Sequence, residues 1–175
     1  MDGNAEQRNA TVSLFDGPAP EVQVFVKAAD EIAAVSSWLA ARAKSGMVPH
    51  EIGVFVRSNT QLDRARAAIA GAGLHSRFLE DTVETASRHV ALGTMHLAKG
   101  LEFRAVAVMA CDDEIIPLQE RIESVTDDAD LEEVYNTERH LLYVACTRAR
   151  DNLLVTSVAP ASEFLDDLRD GSIGV

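Results

Sequence analysis

Two hydrophobic periods alternate along the chain. Val22 to Val26 alternates apolar and polar residues, which predicts a strand. Ile32, Val35 and Leu39 then recur at helical spacing behind Asp30, a residue suited to an N-cap. Gly46, followed by Pro49, closes that helix. Ile52 to Val56 is a second strand with Arg57 at its carboxyl end, and Thr60 to Ala72 a second helix with Leu62, Ala65 and Ile69 inward and Gly73 as its stop. Ser76 to Leu79 reads as a short strand, Asp81 to Arg88 as a loop or one helical turn, Val90 to Thr94 as a strand, and Lys99 to Phe103 as a short helical turn. Ala105 to Ala110 is apolar throughout, as expected of a central strand buried on both faces. Pro117 forbids a long helix in the segment that follows. Leu131 to Cys146 is helical, with Leu131, Val134, Tyr135, Leu141, Leu142 and Ala145 near one face. Leu153 to Val158 is a strand, and Glu163 to Leu168 a last short helix. Strands alternating with helices predict an α/β fold with a mostly parallel sheet flanked by helices.

Length changes this picture little: 175 residues suit one domain. The expected division is a lead-in over 1–20, the domain over 21–170 and a tail over 171–175, with Val12 to Phe15 a candidate extra strand in the lead-in. Charge changes it more. The net charge of −12 argues against nucleic acid at first sight. Between Asp112 and Glu133, however, stand ten acids and one base, Arg121. Without them, 18 acids and 15 bases remain, or −3. The acidity is a local patch, expected as a solvated loop, and the rest of the surface can still hold a basic strip. Cys111 and Cys146 lack metal-ligand spacing and lie among apolar residues, as buried free thiols do. With no membrane-spanning run and no basic-then-apolar opening segment, these features lead to the expectation of a cytoplasmic protein.

The candidate chemistry sits at strand and helix ends, where ligands of open α/β sheets collect. No Gly-x-x-x-x-Gly-Lys-Ser/Thr occurs: Lys99 and Gly100 are followed by no hydroxyl. A magnesium-holding pair of strand-end acids is missing too, and no metal site is expected in this chain. Taken singly, Arg57 reads as a surface salt-bridge residue, Arg148 as a cation favouring a helix C-terminus, and His96 as a surface or capping histidine.

Their joint spacing says more. Thr94-x-His96-x-x-Lys99-Gly100-Leu101-Glu102-Phe103 resembles motif V of the UvrD/Rep group of superfamily 1 helicases. Glu138-Arg139-His140-Leu141-Leu142-Tyr143-Val144-Ala145-Cys146-Thr147-Arg148-Ala149 resembles their motif VI, and Val54-Phe55-Val56-Arg57-Ser58-Asn59 their motif IV. The three stand in the family's order, and the resemblance covers roughly Val22 to Val158. It implies the second RecA-like domain of such a helicase, a P-loop NTPase-like fold without the P-loop. The P-loop and the magnesium-binding acids would lie on a first, N-terminal domain of the same parent chain, with ATP in the cleft between the two. By that resemblance Arg57 and Arg148 would reach the γ-phosphate, Arg148 as arginine finger. Glu102 would meet the ribose, and Thr94 and His96 the backbone of single-stranded DNA. The chain alone would neither hold ATP and magnesium tightly nor hydrolyse ATP.

Two departures from the family pattern stand out. The position before the motif IV arginine is often an aromatic residue packed on the adenine; here it is Val56, and Phe55 should face the other side of its strand. The interval Ser58 to Gly93 has no room for the large 2B domain that many relatives insert there. Two other readings remain open from sequence: a non-enzymatic module that binds nucleic acid or protein with the same fold, and a nucleotide-binding regulator without a DNA role.

Overall fold

The structure, a computed structural model, describes residues 20–80 and 88–169. The candidate strand Val12 to Phe15, the tail 171–175 and nearly all of Asp81 to Arg88 lie outside the described residues.

Among the described residues six strands form one sheet: β1 (Glu21–Phe25), β2 (Ile52–Val56), β3 (Ser76–Phe78), β4 (Val90–Thr94), β5 (Phe103–Val108) and β6 (Ala149–Val158). Their order is β1-β6-β5-β2-β4-β3, and every neighbouring pair is parallel. The helices are α1 (Ala28–Lys44), α2 (Leu62–Gly71), α3 (Gln119–Glu123), α4 (Asp128–Thr147) and α5 (Phe164–Arg169).

The period of two in β2 separates two cores. Ile52, Val54 and Val56 pack with Val35, Trp38 and Leu39 of α1 and Leu62, Ala65 and Ile69 of α2. Phe55 packs on the opposite face with Phe103, Leu142, Ala145 and Cys146, and with Phe164 and Leu165 of α5. The sheet is therefore apolar on both sides, as a parallel sheet must be when helices cover both faces. Gly53 is required by close approach: a Cβ there would stand 2.9 Å from both the Phe103 and the Phe55 rings.

The helix stops fall where expected. Gly46 and Gly73 follow α1 and α2 with φ of +102° and +75°, values that glycine adopts without steric cost. Four local expectations are corrected. Lys27, not Asp30, occupies the N-cap of α1, and Asp30 sits in the first turn, where its charge favours the helix dipole. The turn expected over Lys99 to Phe103 lies earlier, as a 3-10 turn at Met95–Ala98, because Met95 and Ala98 are buried there while Phe103 already pairs with Ala149. β6 begins at Ala149, ahead of Leu153, since Ala149 pairs with Phe103 and Asn152 with Ala105, with an irregularity of the ladder between the two pairs. Finally, the acidic stretch is not simply a loop. It contains α3 and the start of α4, whose N-cap Asp127 accepts from the Asp130 amide at 2.9 Å.

No helix among the described residues is long and apolar enough to cross a membrane. Cys111 and Cys146 are buried free thiols; burial raises both, and Cys146 is pushed up to about 12.

Candidate functional site

In a parallel sheet every strand presents its carboxyl end at one edge. β2 delivers Arg57 there and β4 delivers Thr94, because Val56 and Thr94 are register partners. Thr94 is half-buried and extended, and it precedes the Met95–Ala98 turn without a side-chain capping bond. His96 stands exposed on that turn.

Arg57 and His96 meet beside α4. The buried stripe of α4 comprises Glu138, Leu142, Ala145 and Cys146, so a carboxylate occupies one turn of an otherwise apolar face. Glu138 is fully buried, and a buried charge persists only when paired and hydrogen-bonded. Arg57 provides the pair: its Nη2 donates to Oε1 at 2.6 Å and its Nε to Oε2 at 2.7 Å. Arg121 Nη1 donates to Oε1 at 2.8 Å, and the Leu118 amide to Oε2 at 3.0 Å. Burial alone would raise the Glu138 pKa; the bonds from Arg57, Leu118 and Arg121 outweigh it and leave the carboxyl below the usual range. Arg57 is 5% exposed and is therefore a buried ion-pair residue, not the surface salt bridge that it suggests when taken alone.

The third nitrogen of Arg57, Nη1, lies 3.3 Å from His96 Nε2. A guanidinium only donates, so the contact is a hydrogen bond when His96 Nε2 carries no proton. Partial burial and the charge of Arg57 lower the His96 pKa, Arg121 adds in the same direction, and Glu138 opposes.

Arg148 and Glu102 belong to the other edge. Phe103 and Ala149 pair at the amino ends of β5 and β6, directly after Glu102 and Arg148. Arg148 ends α4 with helical φ and ψ. Its Nε donates to the Val144 carbonyl at 3.2 Å, Nη1 to the Leu101 carbonyl at 3.3 Å and Nη2 to Thr147 Oγ1 at 3.2 Å. The side chain thus caps its helix and is clamped in one orientation. Glu102 is exposed and borders an open hollow of about 280 Å³ with His50, Glu51, Arg104 and Arg150. Arg150 pairs with Asp151 at 3.2 Å.

The structure therefore brings Arg57, His96 and Thr94 to one edge, and Arg148 and Glu102 to the other. Arg57 and Arg148 share no hydrogen-bond partner among the described residues. Glu138 and Arg121, which join the first group, carry no role in the sequence reading. Glu138 has a signal in sequence, an acid in line with Leu142, Ala145 and Cys146; Arg121 has none beyond being the lone base of its segment.

Val56 and Phe55 are both fully buried, in different cores. Neither leaves an aromatic face at the end of β2 for a base to stack on. Among the described residues no group of three or more His, Cys, Asp or Glu is placed to hold a metal ion.

The domain is thus a parallel α/β sheet covered by helices, with Arg57 held at its carboxyl edge and Arg148 at its amino edge. The family described as the UvrD-like helicase C-terminal domain matches residues 66–159, over half of the chain, and the chain belongs to that family. Thr94, His96, Glu102 and Arg148 fall inside the match; Arg57 lies just before it. The chain is 44% identical over 75 residues to the ATP-dependent DNA helicase PcrA of Staphylococcus epidermidis, covering 43% of this chain and 10% of that protein. It is 41% identical over 87 residues to the putative ATP-dependent DNA helicase YjcD of Bacillus subtilis, covering 49% of this chain and 11% of that protein. The matches thus span about a tenth of these curated relatives' length. The crystal structure of the C-terminal domain of a possible DNA helicase from Lactobacillus plantarum superimposes with a TM-score of 0.62 at 22% identity, over 93% of this chain and 89% of that one. At that identity the likeness concerns the fold.

Proposed function

We propose that this domain serves an ATP-dependent DNA helicase or translocase, completing an ATP site whose P-loop lies on another domain and gripping single-stranded DNA. The observation that carries the reading is the clamped Arg148. Phosphoryl transfer gathers negative charge on the γ-phosphate oxygens, and a guanidinium held in advance stabilises that charge without reorganising. Three acceptors fix Arg148 on a helix whose apolar stripe is buried, leaving N–H groups of its fork for a ligand.

Arg57 would touch a phosphate other than the one at Arg148, since the two enter from opposite edges, through the Nη1 hydrogen that is not directed at His96. Glu102 accepts from a ribose hydroxyl in the hollow at the amino edge. Thr94 and His96 touch the DNA backbone. Magnesium, held by the P-loop domain, would neutralise phosphate charge during the reaction. The chain's own residues bind and orient: Glu138 holds Arg57, and the Leu101 and Val144 carbonyls hold Arg148. Such a protein would work in the cytoplasm.

The test compares this chain alone with a longer polypeptide in which a P-loop domain precedes it, each with and without single-stranded DNA. ATP turnover confined to the longer polypeptide and stimulated by DNA supports the reading. Turnover by the highly purified chain alone that Arg148→Ala abolishes would overturn the division of labour, and a longer polypeptide that ignores ATP would overturn the enzymatic reading.

A further inference from the structure

We propose that Arg121 is a phosphate-binding residue, forming with Arg57 and His96 a single phosphate subsite around Glu138 at the carboxyl edge of the sheet. The ligand chemistry is a phosphate monoester or diester, supplied by a nucleotide or by a nucleic-acid backbone. The inference deepens the helicase reading but stands on its own geometry.

Charge is the first argument. Glu138 brings one negative charge; Arg57 and Arg121 bring two positive ones, so the cluster carries +1 before His96 is counted. Both oxygens of Glu138 are already doubly engaged, Oε1 by the two guanidiniums and Oε2 by Arg57 Nε and the Leu118 amide. The carboxylate therefore cannot satisfy the remaining N–H groups of Arg121, and an anion can.

Access is the second. Arg57 is shut in, but the Arg121 side chain is 38% exposed and His96 is exposed, so the open side of the cluster is theirs. The acids near Arg121 are Glu120 and Glu123 on α3, with Asp113 and Glu114 before it, all exposed. Gln119 Nε2 donates to Glu123 at 3.2 Å, marking one face of α3. Arg121, two residues from Gln119, turns roughly 200° from that face, toward Glu138. It is also the only base between Asp112 and Glu133. Its bond to buried Glu138 brings that base to the same carboxylate oxygen as Arg57, so the one strongly acidic stretch of the chain contributes a cation to the cluster.

Direction of response is the third. His96 sits in a positive field from Arg57 and Arg121 that works against its protonation. A phosphate in the subsite opposes that field, so its binding should raise the His96 pKa and strengthen as pH falls.

The experiment follows the His96 imidazole by NMR in the 175-residue chain during titration with inorganic phosphate, ATP or a single-stranded thymidine oligonucleotide. The variants are Arg121→Gln, Arg121→Lys (which keeps the charge and loses the fork) and Arg66→Gln, a charge-matched control that pairs with exposed Asp63. The expected result has a responding ligand raise the His96 pKa in the parent chain. Arg121→Gln should weaken that ligand about five- to tenfold and, for the oligonucleotide, lower the salt slope by about one. Arg121→Lys should fall between, and Arg66→Gln should match the parent. A response to the oligonucleotide alone assigns the subsite to a diester; a response to ATP alone assigns it to a nucleotide. If inorganic phosphate moves His96 in an Arg121-dependent way while neither ATP nor oligonucleotide binds, the subsite stands and the helicase reading fails. If no probe moves His96, or if Arg121→Gln binds every probe as the parent does, the subsite is refuted.

Discussion

Replacing Glu138 by glutamine should destabilise the domain far more than any exposed acid-to-amide change. Glu138 is fully buried and accepts four hydrogen bonds, two on each oxygen. An amide offers one oxygen and one NH2 group. Either Arg57 Nε and the Leu118 amide, or Arg57 Nη2 and Arg121 Nη1, would then face a donor. Arg57, 5% exposed, would also lose its counter-charge. Removing one partner of a buried ion pair costs about 3–5 kcal/mol. A domain of this size has about 5–15 kcal/mol in total, so the loss is a large share and lowers Tm by roughly 6–20 °C. Urea unfolding followed by circular dichroism at pH 7.5 measures it, with Glu133→Gln as the exposed comparison, expected within about 0.5 kcal/mol of the parent. The pH dependence adds a sign. The folded-state pKa of Glu138 lies below the ordinary value. Its contribution is therefore present above the unfolded carboxyl pKa, about 4.3, and is lost as pH falls through the folded one. The gap between parent and variant should shrink in that acid window. A Glu138→Gln variant within about 1 kcal/mol of the parent at pH 7.5 would refute the claim that a desolvated ion pair anchors Arg57.

Other consequences are briefer. His96 has a folded pKa below the ordinary value, so the unfolded chain binds its proton first; its share of stability, full at neutral pH, should decline as pH falls through about 6.5. His96→Gln should remove that slope, and an unchanged pH profile would argue against the Arg57 contact. On the opposite face, fully buried Glu31 accepts from Thr156 Oγ1 at 2.6 Å, from the Ala110 amide at 2.9 Å and from Arg64, which also pairs with Asp112 at 3.0 Å. Glu31→Gln should cost about 3–5 kcal/mol in a urea titration, and a neutral effect would show that Arg64 is satisfied by Asp112 alone.

Legibility in the sequence followed distance along the chain. β2 and β4 were readable because each is a short apolar run between turn residues, and strand ends fixed Arg57 and Thr94 at one edge without any tertiary information. α4 was readable from its stripe, though its first turn came from acids near the N-cap rather than from apolar residues. The Glu138 cluster is hidden because its partners stand 17 to 81 positions away, and no local pattern encodes which cation meets a buried acid. The same holds for Glu31, a first-turn acid of α1 that is tied to Thr156, 125 positions away. Motif order suggested that Arg57 and Arg148 act together; only the parallel register reveals that they enter from opposite edges of the sheet.

Under the proposed function Arg148 is a rigid phosphate-stabilising group and not merely a helix cap. Lysine preserves the charge but not the planar fork. The decisive measurement is DNA-stimulated ATP turnover, alongside melting temperature, in a polypeptide that joins this chain to a P-loop domain and carries Arg148→Lys or Arg150→Ala. Arginine fingers are worth about a thousand-fold or more in turnover. Arg148→Lys should abolish most turnover while shifting stability by about 1 kcal/mol or less, and Arg150→Ala should do much less to turnover. Near-normal turnover in Arg148→Lys, with or without a change in melting temperature, would contradict it.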